Sequence, residues 1–238
     1  MKSYIIIFIA SQLILWSCTK KDAGCSLQKP VIITDSSVTA GDTMSLSVTG
    51  VNRSDIYMYT WYGPNGFSSH DSAPSLPGVS AGNSGRYYVD IITNGGCIYT
   101  ATSDSILIGA PHIPCNLTNN VGSISGATDF YFSYITGSAN GGSYFIEANS
   151  AEGDAEIEFF GTGRPGAGIF SAQPLGGSWG PGNVHITFND GFSNWYGDPG
   201  TVYVSSSNNK ITVSACNIQF TSDAFGYKTT GSFEITSP

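Results

Sequence analysis

Four carboxylates stand two apart at Glu152, Asp154, Glu156 and Glu158, alternating with Gly153, Ala155, Ile157 and Phe159. Side chains of an extended strand alternate between its faces, so the spacing predicts a strand with the acids on one face and the apolar residues on the other. Like charges in such a row repel and need water, a cation or a basic partner. Three uses follow: a solvated outer face that discourages edge pairing, a weak calcium site built from hard oxygens, or a pair of glycosidase carboxylates. Calcium sites usually gather their carboxylates from loops, and no residue beside these Glu marks one of them as acid or nucleophile.

A second set of chemically capable residues is the run from Phe188 to Asp198, with Trp179 upstream. Flat rings beside amides and carboxylates suit a sugar, whose apolar face stacks while its hydroxyls find Asn and Asp. Trp179, Asp190, Phe192, Asn194, Trp195 and Tyr196 are therefore the candidate ligand contacts. The other use of this loop is to close the end of a β core with Trp195 and Tyr196.

Two glycine patterns carry less. Gly161-Thr162-Gly163-Arg164-Pro165-Gly166 spells a dinucleotide fingerprint, but that motif must open a helix. Here Pro165 and Ala167-Gly168-Ile169-Phe170 lead into another strand, and a hairpin turn is expected. Gly176-Gly177-Ser178-Trp179-Gly180 spells a nucleophile elbow, which needs a strand before it and a helix after it. Pro181-Gly182 follow instead. His70, His112 and His185 do not cluster in sequence, and His185 is expected to face solvent on a strand between inward Val184 and Ile186.

The elements that must position these residues read as strands throughout. Alternating, β-branched and aromatic runs recur at Val31–Ile33, Thr43–Val48, Ile56–Trp61, Gly85–Ile91 and Ser105–Ile108. Beyond a proline-containing linker over residues 110–114, eight more are expected: Asp129–Thr136, Ser143–Asn149, Ala155–Phe160, Gly168–Ala172, Asn183–Phe188, Gly200–Ser205, Lys210–Phe220 and Gly226–Thr236. The fold class is all-β: one β-sandwich over residues 25–109, then a second sandwich or barrel over 115–238. Composition agrees. Of 238 residues only 11% are charged, against about 25% usually, and 30 are glycine. The 9 Lys and Arg, against 17 Asp and Glu, form no cluster able to neutralise a run of phosphates, which argues against nucleic acid as a partner.

The N-terminus reads as an address. Lys2 precedes an apolar stretch too short for the ~20 residues of a spanning helix, and Leu15-Trp16-Ser17-Cys18 looks like the lipobox of bacterial lipoproteins, although Trp16 departs from the small or β-branched residue usual there. That resemblance implies removal of residues 1–17, lipid on Cys18, and a tether over 18–24 anchoring the protein to its membrane. An ordinary signal peptide cut nearby, with Cys18 an incidental thiol, is the alternative. With Cys18 lipidated, four of the five cysteines remain for an oxidising compartment, and they fall as Cys25 with Cys97 and Cys115 with Cys216, one pair per domain. Their spacing contains no C-x-x-C of the kind structural zinc uses.

Residues 25–109 resemble an immunoglobulin-like domain of Bacteroidota surface proteins. Tyr59-Thr60-Trp61 looks like a C strand with its core Trp, and Asn83-Ser84-Gly85-Arg86-Tyr87 like the corner that places Tyr87 as a tyrosine corner. Val48 and Val89 stand where the usual core cysteines would be. The C-terminal half loosely resembles β-rich domains of unknown function in small Bacteroidota lipoproteins. Together these imply a lipid-anchored protein of the outer membrane or cell surface with a non-enzymatic binding, adhesion or display role, needing no cofactor, with glycan or another surface protein as partner. The alternatives are a glycan-active enzyme and a purely structural envelope component.

Overall fold

The computed structural model describes residues 29–35, 37–126, 129–161, 163–177 and 180–238. Cys18, Cys25, Ser178 and Trp179 lie outside them. The chain is all-β, and its apolar side chains gather into two clusters, one drawn from residues between Ile32 and Ile108 and the other from Ile124 to Ile235. Among the described residues no helix is long and apolar enough to cross a membrane.

Nine strands surround the first cluster: β1 (Val31–Thr34), β2 (Val38–Thr39), β3 (Met44–Thr49), β4 (Ile56–Tyr62), β5 (Ser68–Ser69), β6 (Ser75–Leu76), β7 (Tyr88–Thr93), β8 (Ile98–Thr102) and β9 (Ile108–Gly109). One sheet runs β1-β3-β6, the facing one β5-β4-β7-β8, and β2 pairs in parallel with β9. Trp61 and Tyr87 are fully buried between the sheets. The Trp61 indole N–H donates to the Asp71 carbonyl at 2.9 Å, and the Tyr87 hydroxyl donates to the Asn83 carbonyl at 2.8 Å. That second bond, four residues back at the entry to β7, is the tyrosine corner of an immunoglobulin-like sandwich. Val89 is buried and Val48 packs at the edge of the cluster, so aliphatic carbon replaces the central disulfide. Cys97 is disulfide-bonded. The run Ser105–Ile108 is not one strand: Ile106 makes an isolated bridge to Gly85 and only Ile108 is in a strand, opening β9, while β7, paired on one side with β4, has β8 on its other side, which its short alternation hid.

The second cluster is wrapped by β10 (Val121–Ile124), β11 (Asp129–Tyr131), β12 (Tyr134–Asn140), β13 (Ser143–Asn149), β14 (Asp154–Phe160), β15 (Gly168–Ala172), β16 (Asn183–Asn189), β17 (Asn194–Gly197), β18 (Gly200–Ser207), β19 (Lys210–Ser222) and β20 (Lys228–Ser237). All eleven belong to one hydrogen-bonded sheet in the order β11-β10-β20-β19-β18-β15-β16-β14-β13-β12, with β17 bridging β16 to β19. The space between β16 and β19 is thus spanned twice, by β15 and β18 at one end and by β17 alone at the other. The thirteen-residue β19 serves both neighbours and changes register between Ala215 and Ile218, the one extra residue bending it as a bulge does. Cys216 sits in that bulge, bonded to Cys115 with Cα atoms 6.1 Å apart. The segment Gly161–Gly166 is not a hairpin turn: β15 pairs with β18 and, in parallel, with β16, so the chain crosses over β16 there.

The two halves of the chain touch where the Ala81 N–H donates to the Ala167 carbonyl at 3.0 Å. Beside it Gly41, at φ +94, lies where a Cβ would stand 2.2 Å from Ile169 Cδ1, so a side chain is excluded by both backbone and space. This contact is level with Val204 and Val213 in the ladder. The β16–β17 and β19–β20 turns lie at the other end of β19, roughly 30 Å away along the strand.

Candidate functional site

The turn at residues 190–193 is built by Asp190. One carboxylate oxygen accepts the backbone N–H groups of Phe192 (2.9 Å) and Ser193 (2.8 Å), and the other accepts the Trp195 indole N–H at 2.9 Å. Burial alone would raise the Asp190 pKa; those hydrogen bonds outweigh it and hold the carboxyl below its ordinary value. Asn189 reaches across the same hairpin, donating to Asn194 Oδ1 at 2.8 Å and accepting the Gly191 N–H at 2.8 Å. Asn194 in turn donates its backbone and side-chain N–H groups to Asp223, at 3.0 and 2.8 Å, and Asp223 returns its own N–H to the Asn194 carbonyl. Asp198, accepting Thr221 Oγ1 at 3.0 Å and Lys228 Nζ at 3.4 Å, ties the hairpins again one turn inward.

The β16–β17 hairpin is therefore pinned to the β19–β20 hairpin, and the pin brings together rings distant in sequence. Phe192 is 95% exposed at the first tip, and Phe225 (73%) and Tyr227 (66%) stand at the second, their rings 5.5 Å apart. Sequence reasoning missed Phe225, Tyr227 and Asp223; the β17–β19 ladder, Trp195 to Ser222 and Tyr196 to Thr221, is what delivers them. The turn before β14 supports this end from below: a Cβ on Gly153, at φ +147, would stand 1.9 Å from the Asn189 carbonyl oxygen.

The remaining predicted contacts divide. Trp195 pairs across from buried Phe188 and packs against the core, while its neighbour Tyr196 points outward. Trp195 thus closes the core end, and Asp190 and Asn194 spend their hydrogen-bonding groups inside the turn.

The acid row is shorter than its spacing suggested. Asp154, Glu156 and Glu158 do alternate outward from β14 against inward Ala155, Ile157 and Phe159, but Glu152 lies in the preceding turn, which Gly153 bends away. Glu147 of β13 stands directly opposite Glu156. Burial first, then the charges of Glu147, Glu158 and Asp154, raise the Glu156 carboxyl above its ordinary value. His185, cross-strand from Glu158, is only 9% exposed rather than solvent-facing, its ring stacked on Tyr196 at 5.9 Å and its Nε2 without a hydrogen-bond partner. Burial lowers its pKa, with Glu158 opposing. Among the described residues no group of three or more His, Cys, Asp or Glu is arranged to hold a metal ion.

No protein-family model matches the chain, and no curated protein does. Among solved structures, murine CEACAM1b resembles it at 8% identity with a TM-score of 0.29, over 81% of this chain and 92% of that one. So faint a likeness bears on neither ligand nor partner.

Proposed function

We propose that this chain is a non-enzymatic binding or adhesion protein of the cell envelope, held to its membrane by lipid on Cys18, that contacts glycan through the paired hairpin tips of its second half. The observation that carries the reading is the set of three exposed rings, Phe192, Phe225 and Tyr227, on turns fixed by Asp190, Asn194 and Asp223. Exposed rings on rigid supports offer stacking area at little conformational cost on binding. The tips stand at the end of the molecule opposite the contact with the immunoglobulin-like half, which suits presentation away from an N-terminal tether.

Calorimetry and glycan-array binding with the full chain test the tips. Phe192→Ser combined with Tyr227→Ser is expected to abolish binding while leaving the unfolding free energy from urea titration within about 0.5 kcal/mol of the parent, as exposed positions should. Failure of every glycan to bind at millimolar concentration removes the glycan reading. Anchoring is tested separately: Cys18→Ala should move the protein from the membrane to the soluble fraction, and equal membrane retention removes the anchor.

A further inference from the structure

One side of the immunoglobulin-like sandwich carries a groove whose walls are two strands that end their sheets among the described residues. β1 ends one sheet and β8 ends the other. The two strands lie side by side, yet among the described residues no backbone hydrogen bond joins them. Which groups face the groove follows from the ladders. Ser103 N–H donates to the Tyr87 carbonyl and Thr93 N–H to the Cys97 carbonyl. By antiparallel alternation, Thr100 and Thr102 turn their N–H and C=O groups away from β7. On the other wall Leu46, opposite Thr34, gives its N–H to Pro74 rather than to β1. The same alternation turns the backbone groups of Ile32 and Thr34 away from β3.

Two adjoining cavities occupy the space between these edges, of about 440 Å³ beside Val31 and Thr100–Thr102 and about 370 Å³ beside Thr34 and Ile106, with Ile32 and Asp104 common to both. The Thr34 hydroxyl is buried at the second without a partner. Edge strands are normally guarded by charge, proline or a bulge, but β1 (VIIT) and β8 (IYTAT) carry none within the groove. Charge is confined to Lys29 at one end, Asp35 at the other and Asp104 where the two cavities adjoin.

We propose that this groove binds an extended peptide segment of another protein by strand addition, with uncharged residues along the two strand edges and a Lys or Arg placed over Asp35 and Asp104. A row of alternating N–H and C=O groups is complementary to one kind of ligand, another extended backbone. The two carboxylates set which way that backbone runs. The proposal concerns the first half of the chain and stands apart from the aromatic tips.

The test uses the full chain and the acetylated, amidated peptide Thr-Val-Thr-Val-Thr-Lys, reading backbone amide exchange by NMR and affinity by calorimetry. Amides of Ile32, Thr34, Thr100 and Thr102 should exchange about tenfold more slowly at saturating peptide. A copy N-methylated at its three central amides, which keeps the side chains but loses the donors, should bind about tenfold more weakly. Replacing Asp35 and Asp104 together by Asn should weaken the lysine peptide about threefold and leave a peptide ending in Thr unchanged. Unaltered exchange at those four amides, or equal affinity of the N-methylated copy, overturns the proposal. A concentration-dependent dimer that protects the same amides without peptide would place a second copy in the groove and overturn it equally.

Discussion

Asp190 and Glu156 lie on the same sheet and stand in opposite electrostatic circumstances. Asp190 is surrounded by donors, three of them at 2.8–2.9 Å, and its carboxyl is held below its ordinary value. Glu156 is surrounded by acids, with Glu147 directly across and Asp154 and Glu158 two residues to either side, and its carboxyl is raised. The first carboxylate is a structural part of a turn, whereas the second is tolerated by a face that spends some stability to keep it. In this molecule, carboxylates beside aromatic rings mark a loop being built, and the rings themselves are what is left over for a partner.

The largest effect that separates the two belongs to Asp190→Ala. It leaves two backbone N–H groups and the Trp195 indole without their acceptor, and about 2 kcal/mol of stability should be lost, read as a lower urea midpoint with a red shift of tryptophan emission as Trp195 is released. An unchanged emission spectrum would mean that packing, not Asp190, holds Trp195. Asp223→Ala is expected to cost about 1 kcal/mol, since Asn194 keeps its bond from Asn189. Its signature is local: faster amide exchange at Asn194 and loss of the fixed spacing between the two tips. Equal destabilisation by both variants would show that the hairpins fail as one unit.

The strand pattern was legible where one face is buried and the other wet. Asp154 to Phe159 alternate as expected, because period two is all that such a strand needs. The tyrosine corner and the buried Trp61 were legible too, since Tyr87 and Trp61 each stand in a recognisable local frame. What stayed hidden depends on long-range pairing. β17 reads as part of an aromatic loop because its four residues form a strand only by lying between β16 and β19. Asp129–Thr136 reads as one strand but bends at Phe132 and Ser133 into β11 and β12, edge strands of the same sheet. Neighbouring Trp195 and Tyr196 look alike in sequence, yet register sends one into the core and the other out over His185. Phe188 and Phe192, four residues apart, are 1% and 95% exposed for the same reason: one lies within the ladder and the other at its turn.

The smallest predicted effect has the opposite sign and tests the comparison most directly. Glu156→Gln removes one member of a like-charged cross-strand pair and should stabilise the protein at pH 7 by about 0.5 kcal/mol, the size of such pairs on a largely solvated face. Its pH dependence distinguishes charge relief from a packing gain. Because the folded pKa of Glu156 lies above the ordinary 4.5, the folded state holds the proton more tightly than the unfolded chain. Its destabilising contribution is then complete above the folded pKa and vanishes as pH falls towards 4.5. The advantage of Gln should close over that interval. Asp190 obeys the reverse linkage: its contribution is complete above the ordinary 3.8 and is lost only as pH falls through its lower folded value. Urea midpoints of the parent, Glu156→Gln and Asp190→Asn between pH 3 and 7 should therefore show the Gln advantage disappearing at higher pH than the Asn deficit. If both differences fade over the same interval, the two carboxylates do not differ in the way their surroundings require.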